Sequence, residues 1–357
     1  MRSLRDITDL KDKKILLRVD FDVPVSEKGE IEESFRIKKQ KKTLDYLLGQ
    51  GAKVVMVAHI SALPSFADLI PQLHILLGQE VNFIKSVSEI GTYLQNYAGP
   101  ALVDNIRQNP GEEKNDAEFA KQLAQGFDLY INNAFAVCHR DHASVSAVTK
   151  LLPSHAGLLV EQEVAQLNKV IQAPKEGKVV IMGGAKASTK VPVIKNLIDS
   201  AEAILLGGVV ANDFLKEKGQ DMGSSVVDAD TRTLLAGLDL NDARLMIPKD
   251  FIIFDNKILD IGDATMRLYM DIVSKAKTII WNGPLGLFEN PVFAKGTNEI
   301  AQAIAESSAF KVIGGGDTIS AVDKIGLLDK FDFVSTGGGA MLSFLAGDKL
   351  PGLEALN

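Results

Sequence analysis

KVVIMGGAKASTKV, residues 178–191, is a β-branched apolar run that stops at two glycines and is followed by two lysines, Lys186 and Lys190, four residues apart. A strand that ends in Gly-Gly and passes into a helical pattern offers backbone N–H groups to a phosphate. The spacing is not that of a P-loop, which needs four free residues between glycines and then adjacent Gly-Lys-Ser/Thr. Taken alone, the glycines also suit a plain strand-to-helix turn, and the lysines a solvated helix face.

The same pattern repeats outward along the chain. Short apolar runs at KILLRVDF (14–21), KVVMVAH (53–59), VNFI (81–84), ALVDN (101–105) and DLYINNA (128–134) fill the first half. AILLGG (203–208), RLMIP (244–248), TIIWNG (278–283) and KVIGGG (311–316) join the opening run in the second. Helical patterns lie between them, such as Ile37–Leu48, Phe66–Leu77 and Phe293–Glu306. Alternating short apolar strands, read as buried, and helices predict an α/β protein whose parallel sheets are covered on both faces. The length of 357 residues predicts two domains. A helical pattern within 151–178 that ends at Pro174 and Gly177 is read as the helix joining them, although one more surface helix suits it equally.

Bulk properties narrow the function. The net charge of −7 argues against a nucleic-acid binder, so an anionic ligand must be held by local basic groups. One cysteine, Cys138, excludes an intrachain disulfide and a cysteine-rich metal site, and reads as a small buried hydrophobe. The charged N-terminus lacks the apolar segment of a signal peptide, and no run approaches a membrane span, so a cytoplasmic protein is expected. Strand ends in the first half carry Arg18, His59, Arg107, His139, Arg140 and His142, whereas those in the second carry glycines, lysines and Asp317. The first set suits a small, strongly anionic molecule gripped by arginine forks, the second a polyphosphate. His139 and His142 are three apart with no third ligand nearby, a weak metal signal.

In order, RVDFDVP (18–24), FRI (35–37), NIRQNPGEEKND (105–116) and YINNAFAVCHRDHAS (130–144) occupy the first half. GGAKASTK (183–190), WNGPLGLFE (281–289), GGGDT (314–318) and STGGGA (335–340) follow. Together these segments resemble the phosphoglycerate kinase family over essentially the whole chain. The resemblance implies two Rossmann-like domains joined by a helix, with a tail returning to the first. The expected division is 1–153 with 341–357 for phosphoglycerate, a joining helix at 154–176, and 177–340 for nucleotide. It implies phosphoryl transfer between 1,3-bisphosphoglycerate and ADP, giving 3-phosphoglycerate and ATP, with Mg²⁺, in a cytoplasmic monomer whose domains close during the reaction.

By the same resemblance, Arg36, Lys190 and Gly337, Gly338 and Gly339 serve the transferring phosphoryl. Asp20, Asp22, Arg36, His59, Arg107 and Arg140 line the phosphoglycerate site. Gly183, Ala185, Lys186, Lys190, Gly207, Gly208, Asn282, Pro284, Glu289, Gly314, Gly315, Gly316, Asp317 and Thr318 line the nucleotide site. Asp317 matches the Mg²⁺ ligand, Glu289 the ribose acceptor, and Thr318 is expected to cap its own turn beside the phosphates; read without the family, Asp317 is an ordinary helix N-cap.

The chain also departs from the family. The family's His-Leu-Gly-Arg-Pro is His59-Ile60-Ser61-Ala62-Leu63-Pro64 here, with a short loop after it, so Ala62 stands where an arginine is usual. Asp22 replaces an asparagine, Asn133 an aspartate, Val209 a glycine and Leu285 a proline. These changes are read as loss of grip on phosphoglycerate, with milder changes around the base. Asp22 adds negative charge where an anion should bind. The leading expectation is therefore an active kinase with weakened phosphoglycerate affinity. The alternatives are a weak or inactive relative with a binding or regulatory role, and a kinase for another carboxylate.

Overall fold

A computed structural model describes all residues, Met1–Asn357. The chain forms two compact units, Met1–Val164 with Lys349–Asn357, and Ala165–Asp348.

The first unit is built on β1 (Lys14–Arg18), β2 (Lys53–Val57), β3 (Asn82–Ile84), β4 (Ala101–Val103), β5 (Leu129–Asn132) and β6 (Ser154–Ala156). They form one parallel sheet in the order β3-β4-β2-β1-β5-β6. β1 is central, with Leu16 between Val55 and Tyr130. Its interior residues are buried on both faces, which is why Ile15, Leu16 and Leu17 are all apolar rather than alternating with polar residues. Helix Phe35–Gly49 covers one face through Ile37, Leu44 and Leu47. Phe21 and Phe66 meet edge to face at 6.3 Å in the same core.

The second unit contains β7 (Lys178–Met182), β8 (Ala203–Leu206), β9 (Leu245–Met246), β10 (Phe251–Phe254), β11 (Lys257–Ile261), β12 (Thr278–Asn282), β13 (Phe310–Gly314) and β14 (Phe333–Ser335). Six of these make a parallel sheet in the order β14-β13-β12-β7-β8-β9, and β10 pairs only with β11, antiparallel. From β7 the chain moves one way to β8 and β9, then returns to β12 on the other side. The strand order therefore reverses between β7 and β12, and the crevice opens where Gly183–Gly184 and Gly283–Pro284 leave the sheet.

Several local expectations change. Residues 154–156 are strand β6, so the joining helix runs Leu158–Gln172, and the division between units falls inside it. β6 and β14 are three residues each, too short to show a period. The β10–β11 hairpin breaks the βα alternation; Asp255 and Asn256 sit at φ 47° and 56°, the left-handed pair that a two-residue hairpin turn requires. The returning tail starts at Lys349. Met341–Asp348, expected to return as well, stays with the second unit, where the Asn196 amide donates to Leu345 O at 2.6 Å. The tail itself is tied by Arg2 N–H to Leu356 O (2.8 Å) and by Gly352 N–H to Cys138 O (2.9 Å). No helix is long and apolar enough to cross a membrane.

Candidate active site

In the first unit the basic residues converge because each follows a strand at the same edge of the sheet. Arg36 opens the helix after β1, His59 follows β2, Arg107 follows β4 and Arg140 follows β5. Arg36 Nη1 donates to Asp22 O at 3.0 Å and lies 3.9 Å from Asp20 Oδ2. Asp20 is buried; its Oδ1 accepts Asp22 N–H at 3.2 Å and its Oδ2 has no hydrogen-bond partner. Burial pushes its carboxyl above the usual range, against the pull of Arg36. Arg107 gives Nη1 to Ser61 Oγ at 3.2 Å; its buried Nε and Nη2 have no hydrogen-bond partner, Nε lying 3.3 Å from Glu113 Oε1 without the alignment of a bond.

His59 is buried, and burial draws its imidazole down to about 4, so it is neutral at physiological pH. Arg18 Nη2 stands 3.1 Å from His59 Nδ1. A guanidinium only donates, so Nδ1 accepts and the ring proton is on Nε2. Arg18, although at a strand end, is internal: Nε donates to Ser144 Oγ (2.9 Å), which itself donates to Glu112 Oε1 (2.6 Å). Asn133, read from sequence as part of the lost substrate grip, has a different task. It donates to Gln40 Oε1 (2.8 Å) and accepts from Thr43 Oγ1 (2.7 Å) and Leu159 N–H (3.1 Å), joining two helices behind the sheet edge. Ala62 is exposed.

In the second unit three loops interlock at the crevice. Gly184 N–H donates to Pro284 O (2.8 Å), Gly208 N–H to Leu285 O (3.0 Å) and Val209 N–H to Gly184 O (3.0 Å). The approach leaves no room for side chains: a Cβ on Gly183 would stand 2.2 Å from Pro284 O, and one on Gly207 2.5 Å from Leu285 Cδ2. Thus Gly183 and Gly207 are backing residues. Gly184, Ala185, Gly208, Pro284, Glu289 and Asp317 line a cavity of about 240 Å³. Gly183, Lys186, Lys190, Gly207, Asn282, Gly314–Gly316 and Thr318 are outside that lining. Asn282 is buried, its amide donating to Gly314 O at 3.0 Å. Thr318 does not cap its own turn; its buried Oγ1 accepts Gly283 N–H at 2.7 Å and pins the β12 loop.

Lys186 is the N-cap residue of helix Ala187–Leu197 and is exposed, while Lys190 lies one turn in and is partly buried. Burial lowers the Lys190 ammonium below the ordinary lysine value; Lys186 adds to this, while Asp317 and Asp228 oppose it. Helix Gly316–Lys324 is headed by Gly315, without a side-chain cap, so Asp317 is not the N-cap; its carboxylate is exposed at the first turn. Gly338, at φ 46°, heads the short helix Gly339–Leu345, and Gly337 N–H donates to Ser335 Oγ at 3.0 Å.

The cavity also has walls outside the residues picked out from the sequence. Phe251, Lys257 and Ile258 come from the hairpin, Val226 from the loop before it, and Asn212 from the Gly208–Glu217 helix. Asn212 donates to Val226 O at 2.9 Å, and the next residue, Asp213, accepts Asp228 N–H at 2.8 Å. Asp228 in turn accepts Ser188 N–H at 3.2 Å, at the start of the lysine-bearing helix. The polar doublet Asn212–Asp213 within an apolar helix was the available signal.

Comparison with known proteins agrees with this geometry. The family model described as phosphoglycerate kinase matches residues 4–348. A phosphoglycerate kinase of Herpetosiphon aurantiacus is 38% identical over 394 aligned positions, covering 100% of this chain and 99% of that protein. One from Dictyoglomus turgidum is 39% identical over 388 positions, covering 99% and 98%. The solved phosphoglycerate kinase of Pyrococcus horikoshii superposes with a TM-score of 0.88 at 31% identity, over 100% of this chain and 98% of that one. That of Coxiella burnetii superposes at 0.84, also at 31% identity, over 99% and 98%. The α/β architecture of two six-stranded parallel sheets is that of these structures, and the chain belongs to the phosphoglycerate kinase family.

Proposed function

We propose that this protein catalyses reversible phosphoryl transfer between 1,3-bisphosphoglycerate and ADP, yielding 3-phosphoglycerate and ATP, as a glycolytic enzyme. The observation that carries the reading is Lys190, a partly desolvated ammonium held beside the interlocked glycine turns of the cavity, in a chain matched by the family almost end to end. In the ATP-consuming direction the acceptor is a carboxylate, ionised at neutral pH, so no general base is required. The task is to align two anions and neutralise the charge between them.

The proposed roles follow. Arg36, Arg107, Arg140 and His59 hold phosphoglycerate, with Asp20 and Asp22 beside them. Glu289 takes the ribose, the glycine turns and Lys186 take the phosphates, and Lys190 meets the transferring group. The Gly337–Gly339 turn adds donors to the same oxygens, and Arg36 serves the transfer step from the phosphoglycerate side. The exposed Asp317 carboxylate at the cavity fits one ligand of a Mg²⁺ ion otherwise held by phosphate and water. When bound, that ion would neutralise phosphate charge.

Ala62 favours a weakened hold on phosphoglycerate, and the same observation supports a second reading, a weak or inactive relative with a binding role. A coupled assay with 3-phosphoglycerate, ATP and Mg²⁺ separates them. Turnover that needs all three is expected; a folded protein with none would overturn the kinase reading. A cytoplasmic monomer acting on small molecules, without nucleic acid or membrane, completes the proposal.

A further inference from the structure

Asp22 carries the most informative contacts outside the transfer chemistry. Its Oδ1 accepts Ser61 N–H at 2.7 Å, and its Oδ2 accepts Ser61 O–H at 3.3 Å. The same Oδ2 stands 3.2 Å from the protonated Nε2 of His59, bent away from good alignment. Ser61 Oγ receives Arg107 Nη1 at 3.2 Å, so the carboxylate is connected through one hydroxyl to an arginine whose other donors have no hydrogen-bond partner. Burial disfavours its ionisation, but His59 and Ser61 overcome this and hold the carboxyl well below the usual carboxylate range. A fixed anion therefore takes up donors at the sheet edge where Arg36, Arg107 and His59 converge.

We propose that Asp22 is an internal counter-anion that sets the specificity of this edge, opposing substrates in proportion to their negative charge; this rests on the phosphoglycerate reading above. Ser61 is the residue that fastens it, two residues beyond His59 and next to the solvent-facing Ala62. The physical reason is twofold. The Ser61 N–H and O–H are donors that an incoming anion would otherwise use, and the carboxylate also stands 3.2 Å from the His59 Nε2–H. The fixed charge also repels a second anion a few ångströms away, and partial burial weakens solvent screening.

The test compares binding of two probes by calorimetry, 3-phosphoglycerate and glycerate, to the intact protein and to Asp22→Asn and Asp22→Ser. Glycerate carries the carboxylate alone, and 3-phosphoglycerate adds a phosphate of about −1.5 to −2 charge. Both variants should bind 3-phosphoglycerate at least tenfold more tightly than the parent, while glycerate gains less than about threefold. Unchanged affinity, or equal gains for both probes, would overturn the charge-opposition role and leave Asp22 a loop fastener. A coupled assay on the same samples keeps the two ideas apart. Tighter 3-phosphoglycerate binding without turnover would sink the kinase reading and leave the Asp22 assignment standing. Turnover with no gain in binding would do the reverse, and failure of every sample to bind would remove both.

Discussion

Lys190 Nζ lies 3.7 Å from the point where a Cβ on Gly184 would stand. Gly184 itself is at φ +81°, and the same Cβ would be 3.3 Å from Gly283 Cα. Gly184→Ala therefore combines a left-handed backbone with a crowded loop crossing. A loss of about 1–3 kcal/mol in stability is expected, together with a lower kcat because the strained turn must shift beside Lys190, which the methyl group itself would only touch. Denaturant melts and steady-state rates check both, and an alanine variant with parental stability would refute the crowding argument.

Lys190→Ala should lower kcat by ~10²–10³-fold, the usual size for removing one preorganised donor, with a smaller change in the KM for ATP. Since burial lowers the ammonium of Lys190, it should lose its proton below the ordinary lysine range. The rate should then fall on the alkaline side earlier than an exposed lysine would dictate. Lys190→Arg cannot deprotonate in that range, so whatever rate it retains should lack this limb.

Arg36→Ala should abolish nearly all turnover, on the scale of ~10³ or more seen for arginines in phosphoryl transfer. The fold should survive, because Ile37, Leu44 and Leu47 anchor that helix in the core. Circular dichroism and the coupled assay together test this; substantial residual turnover would remove Arg36 from the transfer step.

Ala62→Arg should lower the KM for 3-phosphoglycerate. One hydrogen bond to a charged group contributes ~1.5–3 kcal/mol, roughly ten- to a hundredfold in affinity. Ala62 is solvent-facing, so a longer side chain meets no core there. The KM for ATP should move far less, because the cavity belongs to the other unit. Tight binding by the parent, with no response to the arginine, would contradict a weakened site.

Asp213 yields a stability prediction. It is fully buried; burial raises its carboxyl from 3.8 to about 6, and Asp228 adds to the rise although Asp228 N–H opposes it. A raised acid is neutral on folding when the unfolded chain is already ionised. Its cost is absent below the unfolded value, grows between there and about pH 6, and persists above. Asp213→Asn, which can still accept the Asp228 N–H, should be more stable by up to ~3 kcal/mol at pH 7. The advantage should vanish below pH ~4 in melts across that range. A constant difference at all pH values would point to packing instead.

Much of the architecture was legible because it depends on local pattern. Strands with apolar centres such as Ile15–Leu17 and Val179–Met182 suit a doubly covered parallel sheet, and their ends carried the glycines, lysines and arginines to one edge of each sheet. The hairpin Phe251–Ile261 was missed because it interrupts that alternation and is recognisable only by its Asp255–Asn256 turn. Neither Thr318 nor Asp317 caps the helix in which it stands, and the partner of Thr318 is Gly283, distant in sequence.

By itself, the sequence determined the α/β class, the two-sheet plan, and the identity of the charged groups at the strand ends. These follow from residue type and spacing within a dozen positions. Only the tertiary structure decided which of those groups are internal and which stay open to solvent. Arg18 is consumed by Ser144, Asn133 by Gln40 and Thr43, and Asp22 by Ser61 and its contact with His59. The lowered ammonium of Lys190 and the raised carboxyl of Asp213 are likewise consequences of burial. Desolvation and long-range hydrogen bonds depend on what the rest of the chain brings alongside, and no local window of sequence contains that information.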